Sequence, residues 1–251
     1  MFGSICRGLG ALFCVVMILT GVAAQSPTAV SAASYVDRGN AWYDRGELDK
    51  AIADYTRAIA SAPDLAAAYI NRGNARQDKG DLEGALSDYD RALELNPRDV
   101  GAHTNRGNVR QRQKDLEGAL ADYNQALELE PREVKALYNR GNIWLATGEL
   151  DKAIADFNLA IEGNSRYAMA YNNRGVARQA EGDLRGAVAD LSRAIEFNPK
   201  NSRAYINRGM VLLLQGKKAE AEKDFSRAVA LDSRMKAFIE QHLRDRFPGN
   251  R

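Results

Sequence analysis

The sequence has only two cysteines, Cys6 and Cys14, and both lie within its first 24 residues. If that segment is removed during export, the remaining chain contains no thiol. This composition then excludes disulfide bonds, catalytic thiols and thiolate metal ligands. Histidine is equally scarce, since the chain has only His103 and His242. Neither of them has the neighbouring residues that are typical of a catalytic triad or a metal site.

The chain also lacks an excess of charge of either sign, because it carries 35 Lys and Arg against 33 Asp and Glu. Proteins that bind nucleic acid concentrate basic residues on one face, so this balance argues against such a partner. No glycine-rich phosphate loop is present, because the glycine of each recurring RGN triplet is expected inside a helix. We therefore expect a non-enzymatic protein without catalytic residues, cofactor or metal ion.

A long apolar run lies at the N-terminus. Residues 1–24 carry Arg7, an apolar stretch and then Val22-Ala23-Ala24, which is the plan of a cleaved signal peptide. We expect a flexible leader at residues 25–31 and an exported protein, periplasmic or secreted. The alternative is an uncleaved membrane anchor, although its run of about 16 apolar residues is shorter than the roughly 20 that span a bilayer.

Small residues recur at a fixed period of 34 residues over most of the chain. A glycine marks each copy, at Gly39, Gly73, Gly107, Gly141, Gly175 and Gly209. An alanine follows each glycine twelve residues later, and another alanine comes seven residues after that. A period of this size indicates a stacked repeat protein. We assign six repeats, at residues 32–65, 66–99, 100–133, 134–167, 168–201 and 202–235.

Each repeat is predicted to fold as two helices joined by a short turn. In repeat 66–99, apolar residues recur at helical spacing in two blocks separated by Gly80 and Asp81. The glycine can close the first helix in the left-handed conformation, and the aspartate can cap the second. Pro97 then ends the second helix. In the third copy, Lys114 replaces the turn glycine.

The order of residues within one copy resembles the tetratricopeptide repeat family. The first copy carries the family's large, small and proline positions as Tyr35, Gly39, Trp42, Ala51, Tyr55, Ala58 and Pro63. The resemblance implies an all-α, right-handed superhelical solenoid of six helix–turn–helix repeats, in which the first helix of each repeat lines the concave side. Residues 236–251 are expected to form a capping helix and tail, because Met235, Phe238, Ile239 and Leu243 share one helical face.

An arginine precedes the helix glycine in every copy, and an aspartate lies sixteen residues further on. Members of the family that the chain resembles usually have an apolar residue at the first of these positions. The matched replacement predicts a ladder of partly buried ion pairs between the two helices of a repeat. The pairs assigned to it are Arg72 with Asp88, Arg106 with Asp122 and Arg140 with Asp156. A catalytic or anion-binding use of the arginines is the alternative.

Asparagine recurs at two positions three residues apart on the first helix of each repeat, and such positions share a face. Asparagine is a mediocre helix former, so its repetition calls for an explanation. The set assigned to partner binding is Asn40, Asn71, Asn74, Asn105, Asn108, Asn139, Asn142, Asn173 and Asn207. Amides both donate and accept hydrogen bonds. The row is similar to the asparagine ladder of O-linked N-acetylglucosamine transferase repeats, which implies a grip on the main chain of an extended peptide. The alternative is that the amides bond to neighbouring repeats or to water.

The leading hypothesis is a protein–protein interaction scaffold that binds an extended protein segment in its concave groove. A second hypothesis is a structural component that self-associates into a homo-oligomer through the apolar sixth repeat, which carries Ile206, Met210, Leu213 and Leu214. A third is an accessory subunit of a cell-wall or glycan enzyme. Two tryptophans are too few for a carbohydrate platform, and both occupy packing positions, which weighs against the third hypothesis.

Overall fold

A computed structural model of the chain describes residues 31–246, and all the regular structure in this range is α-helical, as the sequence predicts. The helices are α1 Ala32–Asp44, α2 Leu48–Ser61, α3 Ala66–Lys79, α4 Leu82–Leu95, α5 Val100–Arg112, α6 Leu116–Leu129, α7 Val134–Thr147, α8 Leu150–Gly163, α9 Ala168–Glu181, α10 Leu184–Phe197, α11 Ser202–Leu214, α12 Lys218–Leu231 and α13 Met235–Arg246. The predicted signal peptide, residues 25–30 of the leader and residues 247–251 lie outside the described range.

The helices form a tandem array in which each packs against the next one along the chain. An odd-numbered helix packs most extensively on the even-numbered helix that follows it, and this pair forms one repeat. The odd-numbered helices of adjacent repeats also contact each other directly. Helices α1, α3, α5, α7, α9 and α11 begin at the first residue of the six predicted repeats. None of the helices between residues 31 and 246 is long and apolar enough to cross a bilayer.

The turn inside each repeat depends on a residue in the left-handed conformation. Gly80 adopts this conformation with φ 91°, and the backbone N–H of Asp81 returns to the carbonyl of Arg76 at 2.8 Å. The Asp81 side chain then accepts from the N–H of Gly84 at 3.0 Å and so caps α4. In the third repeat Lys114 takes the glycine's place and still has φ 66°. The repeat geometry therefore imposes strain on Lys114, because side chains disfavour this region.

The glycine in the middle of each odd-numbered helix allows the two helices of a repeat to approach closely. A Cβ atom added to Gly107 would lie 2.7 Å from Cε1 of Tyr123 on α6. The same contact recurs in the other repeats with tyrosine, phenylalanine or leucine as the partner. These partners are large side chains, and Tyr123 itself is fully buried. Any residue with a side chain would therefore displace the large neighbour from the core.

Helix α13 packs on the sixth repeat, against α11 and α12. Ile239, which lies 34 residues after Tyr205, is buried against Ile206 and Met210. Leu243 stands 34 residues after the glycine of the sixth repeat. In the six repeats, the even-numbered helix packs directly on this glycine, which has no side chain. The side chain of Leu243 prevents a further helix from packing on α13 in the same way. The prediction for Phe238 is wrong: it was expected on the packed face, and its side chain is 45% exposed.

Candidate functional site

The nine asparagines that the sequence singles out lie on the odd-numbered helices, and we call them the amide row. Residues three apart, such as Asn71 and Asn74, share one face of their helix. The glycine between them, Gly73, faces the even-numbered helix of the same repeat. Most members of the row are half-buried and Asn40 is exposed. The row therefore forms a continuous polar surface along one side of the array.

Adjacent repeats are joined through the amide row. The side-chain nitrogen Nδ2 of Asn105 donates to Oδ1 of Asn74 in the preceding repeat at 2.9 Å. Three equivalent bonds join Asn71 to Asn40 at 3.1 Å, Asn139 to Asn108 at 2.6 Å and Asn173 to Asn142 at 2.7 Å. The structure thus brings eight of the nine asparagines together in pairs. The contact expected under the alternative interpretation, bonding between repeats, is present.

A buried tyrosine hydroxyl fixes the orientation of the amide in each of the first three repeats. Tyr89 donates to Oδ1 of Asn74 at 2.7 Å. Tyr55 does the same to Asn40 at 2.8 Å, and Tyr123 to Asn108 at 2.7 Å. This link was not predicted from the sequence, although tyrosine stands fifteen residues after the asparagine in these three copies alone. In the fourth copy Phe157 takes its place and has no hydroxyl to donate.

The environment keeps these hydroxyls protonated over the whole physiological range. Burial raises the pKa of Tyr55 to about 12, and the nearby charge of Asp44 adds to the effect. Burial also raises the pKa of Tyr89 and Tyr123 above the usual range for tyrosine. A protonated hydroxyl is a hydrogen-bond donor. The tyrosines therefore present a donor to the asparagine oxygens at every pH at which the protein is expected to work.

The bonds leave a defined set of amide groups free at each of the first three junctions between repeats. Oδ1 of Asn74 accepts from both Tyr89 and Asn105, which occupies both of its lone pairs. Within the described residues, both N–H groups of Asn74 remain without a partner. So do Oδ1 and the second N–H of Asn105. Each such junction therefore offers donors and an acceptor whose orientation is already fixed.

The hydrogen-bond pattern of the amide row changes between the fifth and sixth repeats. Val176 stands where the earlier copies have an asparagine, so Asn207 has no amide partner at that position. Asn207 donates instead to Oδ1 of Asn172 at 3.0 Å, and Asn172 donates to Oδ1 of Asn173 at 2.8 Å. Asn172 was not predicted from the sequence as a member of the site. Its only signal is an extra asparagine before the recurring one.

The structure places each predicted arginine beside its predicted aspartate. The closest N–O distances are 2.6 Å for Arg72 with Asp88, 2.6 Å for Arg106 with Asp122 and 2.7 Å for Arg140 with Asp156. Each pair is joined through two nitrogens of the guanidinium. The aspartates are buried. Burial of a charge is tolerated only when it is paired, so these contacts hold the two helices of a repeat together.

The first repeat shows the electrostatic consequence of this pairing. Arg38 donates to Asp54 through two nitrogens, and Arg57 donates to the same carboxylate at 2.6 Å. The hydrogen bond from Arg38 lowers the pKa of Asp54 to about 2, and Arg57 adds to the effect against the opposing influence of burial. The carboxylate is therefore charged in the folded protein down to strongly acidic pH.

The arginines also reach back to the preceding repeat, which the sequence analysis missed. The third nitrogen of Arg106 donates to Asp90 at 2.8 Å, and that of Arg140 donates to Asn124 at 2.7 Å. An oxygen-bearing side chain recurs at this position in five repeats, as Thr56, Asp90, Asn124, Asn158 and Ser192. A guanidinium with protein partners on three nitrogens has little capacity for an external anion. The geometry thus favours the structural interpretation of these arginines.

The apolar residues of the sixth repeat are divided between the core and the surface. Ile206 and Met210 are 2% and 5% exposed because α13 covers them. Leu213 is half-buried, and Leu214 is 41% exposed. The surface that the self-association hypothesis would use is therefore smaller than the sequence suggests.

The histidine and tryptophan residues considered for catalysis, metal binding or carbohydrate binding have structural surroundings. His103 is buried, with Nε2 at 3.0 Å from the carbonyl oxygen of Pro97. Trp42 and Trp144 are half-buried, each with a lysine ammonium over its ring. Among residues 31–246, no three His, Cys, Asp or Glu side chains form a group that could hold a metal ion.

Comparison with known proteins gives matches to repeat families. A model described as "Tetratricopeptide repeat" matches residues 104–168 and 172–235. A second model, described as "TPR repeat", matches residues 39–80 and 73–114. No curated protein matches the chain at a significant level.

Several solved structures are similar to the chain. YrrB, described as a TPR protein with an unusual peptide-binding site, has 24% identity and a TM-score of 0.62, covering 76% of this chain and 97% of its own. MamA has 25% identity and a TM-score of 0.59, covering 66% of this chain and 96% of its own. PilF from Pseudomonas aeruginosa has 18% identity and a TM-score of 0.70, covering 87% and 93%. These likenesses show the fold.

Proposed function

The chain belongs to the tetratricopeptide repeat family, whose right-handed solenoids generally serve as protein–protein interaction scaffolds, and we propose that it binds an extended protein segment along the amide row. The partner is gripped through its main chain, so that the scaffold tolerates different side chains along most of the segment. The chain itself performs no catalysis. Its role is to hold a partner within a larger assembly.

The observation that carries this proposal is the set of oriented, unused amide groups at the first three repeat junctions. Asn74 keeps two N–H groups free, and Asn105 keeps one N–H and its oxygen free. These are the complements of a peptide's carbonyl and N–H groups. Packed helices lie about 8–10 Å apart and an extended chain advances about 3.4 Å per residue, so one repeat matches about three residues of the partner.

The tyrosine and amide bonds lower the entropic penalty of binding. An asparagine side chain on a surface normally samples several rotamers, and binding must immobilise it. In the first three repeats the tyrosine hydroxyl and the neighbouring amide already hold it. The inter-repeat bonds therefore support ligand binding as well as stability. YrrB, which has the same fold, is an example with a peptide-binding site.

Affinity capture tests the proposal. The immobilised chain is compared with a variant carrying Asn71→Ala, Asn105→Ala and Asn139→Ala, using a cell-envelope fraction as the source of partners. The matched control carries Asn96→Ala, Asn164→Ala and Asn198→Ala, which remove three exposed asparagines from the turns between repeats. Circular dichroism first establishes that all three proteins are equally helical.

We expect at least one protein to be captured by the parent and the control, and to be lost with the amide-row variant. Unchanged capture by the amide-row variant would contradict the proposal. Equal loss with the control would also contradict it, because the effect would then not depend on the row.

We further propose that the protein is exported to the periplasm or secreted, on the basis of the signal-peptide pattern in residues 1–24. N-terminal sequencing of the protein purified from its source tests this. A first residue of Gln25 in an envelope or medium fraction supports export. An intact Met1 in the cytosolic fraction would overturn it.

A further inference from the structure

A cavity lies at the sixth-repeat end of the amide row, between helices α9, α11 and α13. Its volume is 420 Å³, within the range of about 300–1,000 Å³ that holds small ligands or single side chains. Half of its lining residues have apolar side chains, namely Val176, Ile206, Met235 and Phe238. The 45% exposed ring of Phe238 is the feature that the capping role of α13 leaves unexplained.

The cavity continues the amide row. Asn172, Asn173 and Asn207 also contribute to its lining, and they are the last linked members of the chain of amides. Val176, which interrupts the asparagine pattern, forms part of the apolar wall. A segment held along the row therefore reaches an apolar recess at the point where the amide pattern stops.

Charge differs between the two ends of the row. Among residues 31–246, Arg203 is the only charged one that lines the cavity, and it is exposed. At the opposite end, Asp37 and Asp44 are exposed on α1, on the same helical face as Asn40. The row thus runs from a negative end at the first repeat to a positive, apolar end at the sixth.

We propose that the cavity receives one apolar side chain of the partner segment, and that an adjacent acidic side chain of the partner pairs with Arg203. This inference rests on the proposed function and specifies its ligand. The segment then lies in a single direction, with basic residues toward Asp37 and Asp44. Five repeat steps separate its two ends, which corresponds to about 15 residues of extended chain.

Selection from a random library of 15-residue peptides displayed on phage tests the inference, with the full chain as bait. Each displayed peptide is followed by coat protein, so a free C-terminal carboxylate does not contribute. Selected sequences are expected to share a leucine, methionine or phenylalanine next to an aspartate or glutamate, with lysine or arginine near the opposite end.

Synthetic versions of the selected peptides are then measured by fluorescence anisotropy against four variants. Phe238→Asp is expected to weaken binding about tenfold, because an apolar contact is lost. Arg203→Glu is expected to weaken it about fivefold, and to favour a peptide whose acidic residue is replaced by lysine. The controls Leu159→Asp and Arg227→Glu change exposed residues of even-numbered helices and should have no effect.

The outcomes separate this inference from the proposed function. Peptides that require the amide row but show no apolar–acidic pair, and are unaffected by Phe238→Asp and Arg203→Glu, would overturn the inference alone. Failure to select any peptide that depends on the amide row would overturn both. A dimer in sedimentation equilibrium that Phe238→Asp abolishes and Leu159→Asp preserves would assign the cavity to a second copy of the chain, and would also overturn the inference.

Discussion

The hydroxyl of Tyr123 donates to the side-chain oxygen of Asn108 at 2.7 Å, from α6 to α5 of the same repeat. The same oxygen accepts from Asn139 of the next repeat at 2.6 Å. One acceptor thus links three helices. Tyr123 is buried in the core, whereas Asn108 lies on the proposed binding face. Their hydrogen bond therefore restricts the side-chain conformation of Asn108 at that face.

Removing the hydroxyl tests the contribution of this contact. We expect Tyr123→Phe to lower the free energy of unfolding by about 1 kcal/mol, the usual net value of a hydrogen bond. The ring still fits, since Phe157 fills the same place in the fourth repeat. Urea denaturation of the single and double variants with Asn108→Ala gives the coupling between the two side chains. Strictly additive effects would contradict the proposed link.

Two glycines of one helix are expected to respond in opposite directions to the same substitution. Gly107→Ala should destabilise the protein by about 1–3 kcal/mol, because the new methyl group meets the ring of buried Tyr123. Gly101→Ala places its methyl group 3.3 Å from Oδ1 of Asp99, the oxygen that caps α5 by accepting from the N–H of Ala102, and meets no core side chain. The gain in helix propensity should then stabilise the protein by up to about 1 kcal/mol. Thermal unfolding of the two variants checks this. A Gly107→Ala variant as stable as Gly101→Ala would show that the helices are not held in close contact.

The backbone of Lys114 is expected to be strained, and glycine at this position should relieve the strain. It has φ 66°, whereas glycine fills the equivalent position in the other five repeats. Lys114→Gly should therefore raise the free energy of unfolding by about 1 kcal/mol, since the left-handed region is unfavourable for a residue with a side chain. Lys114→Ala serves as the control, because it removes the charge and the long chain but keeps the Cβ atom. Equal stabilisation by both changes would assign the effect to the side chain and not to the backbone.

The pairing of Asp54 predicts a specific acid sensitivity. Its pKa falls from 3.8 to about 2 on folding. The charged form is favoured in the folded state, so the stabilisation is present above about pH 4 and is lost as the pH falls through about 2. A difference of this size corresponds to at most about 2.5 kcal/mol, and solvent around the half-exposed guanidinium groups of Arg38 and Arg57 lowers this figure.

The Asp54→Asn variant removes this ionisation. We expect its urea midpoint to lie well below that of the parent at pH 7, and the gap to narrow steadily toward pH 2. The variant Asp64→Asn, which changes an exposed turn residue, controls for the loss of one negative charge. A gap that keeps the same size at both pH values would contradict the assigned pKa.

The repeat fold is readable from the sequence because its requirements are local. A glycine at the crossing point and a glycine at the turn each serve a contact within one repeat. The period of 34 makes the first visible in six copies and the second in five. The pairing of Arg72 with Asp88 is predictable for the same reason, because both residues belong to one repeat.

Contacts between repeats depend on how one unit sits on the next, and the sequence does not specify this directly. The bond from Arg106 to Asp90 of the preceding repeat is one example. The bond from Asn207 to Asn172 is another. It forms because Val176 of the preceding repeat stands where the earlier repeats have an accepting asparagine. The exposure of Phe238 is a third, because the apolar pattern of α13 does not separate it from its buried neighbour Ile239.

The claim that the amide row binds a partner's main chain is tested most directly with a captured segment of about 15 residues, synthesised in two altered forms. One form is N-methylated at every third backbone amide, and the other has alanine at all side chains that do not face the cavity. Isothermal titration calorimetry compares each with the unaltered segment. We predict that N-methylation weakens binding at least tenfold, whereas the alanine form binds within a few-fold of the parent. The reverse order, with backbone methylation tolerated and side-chain removal not, would contradict the account.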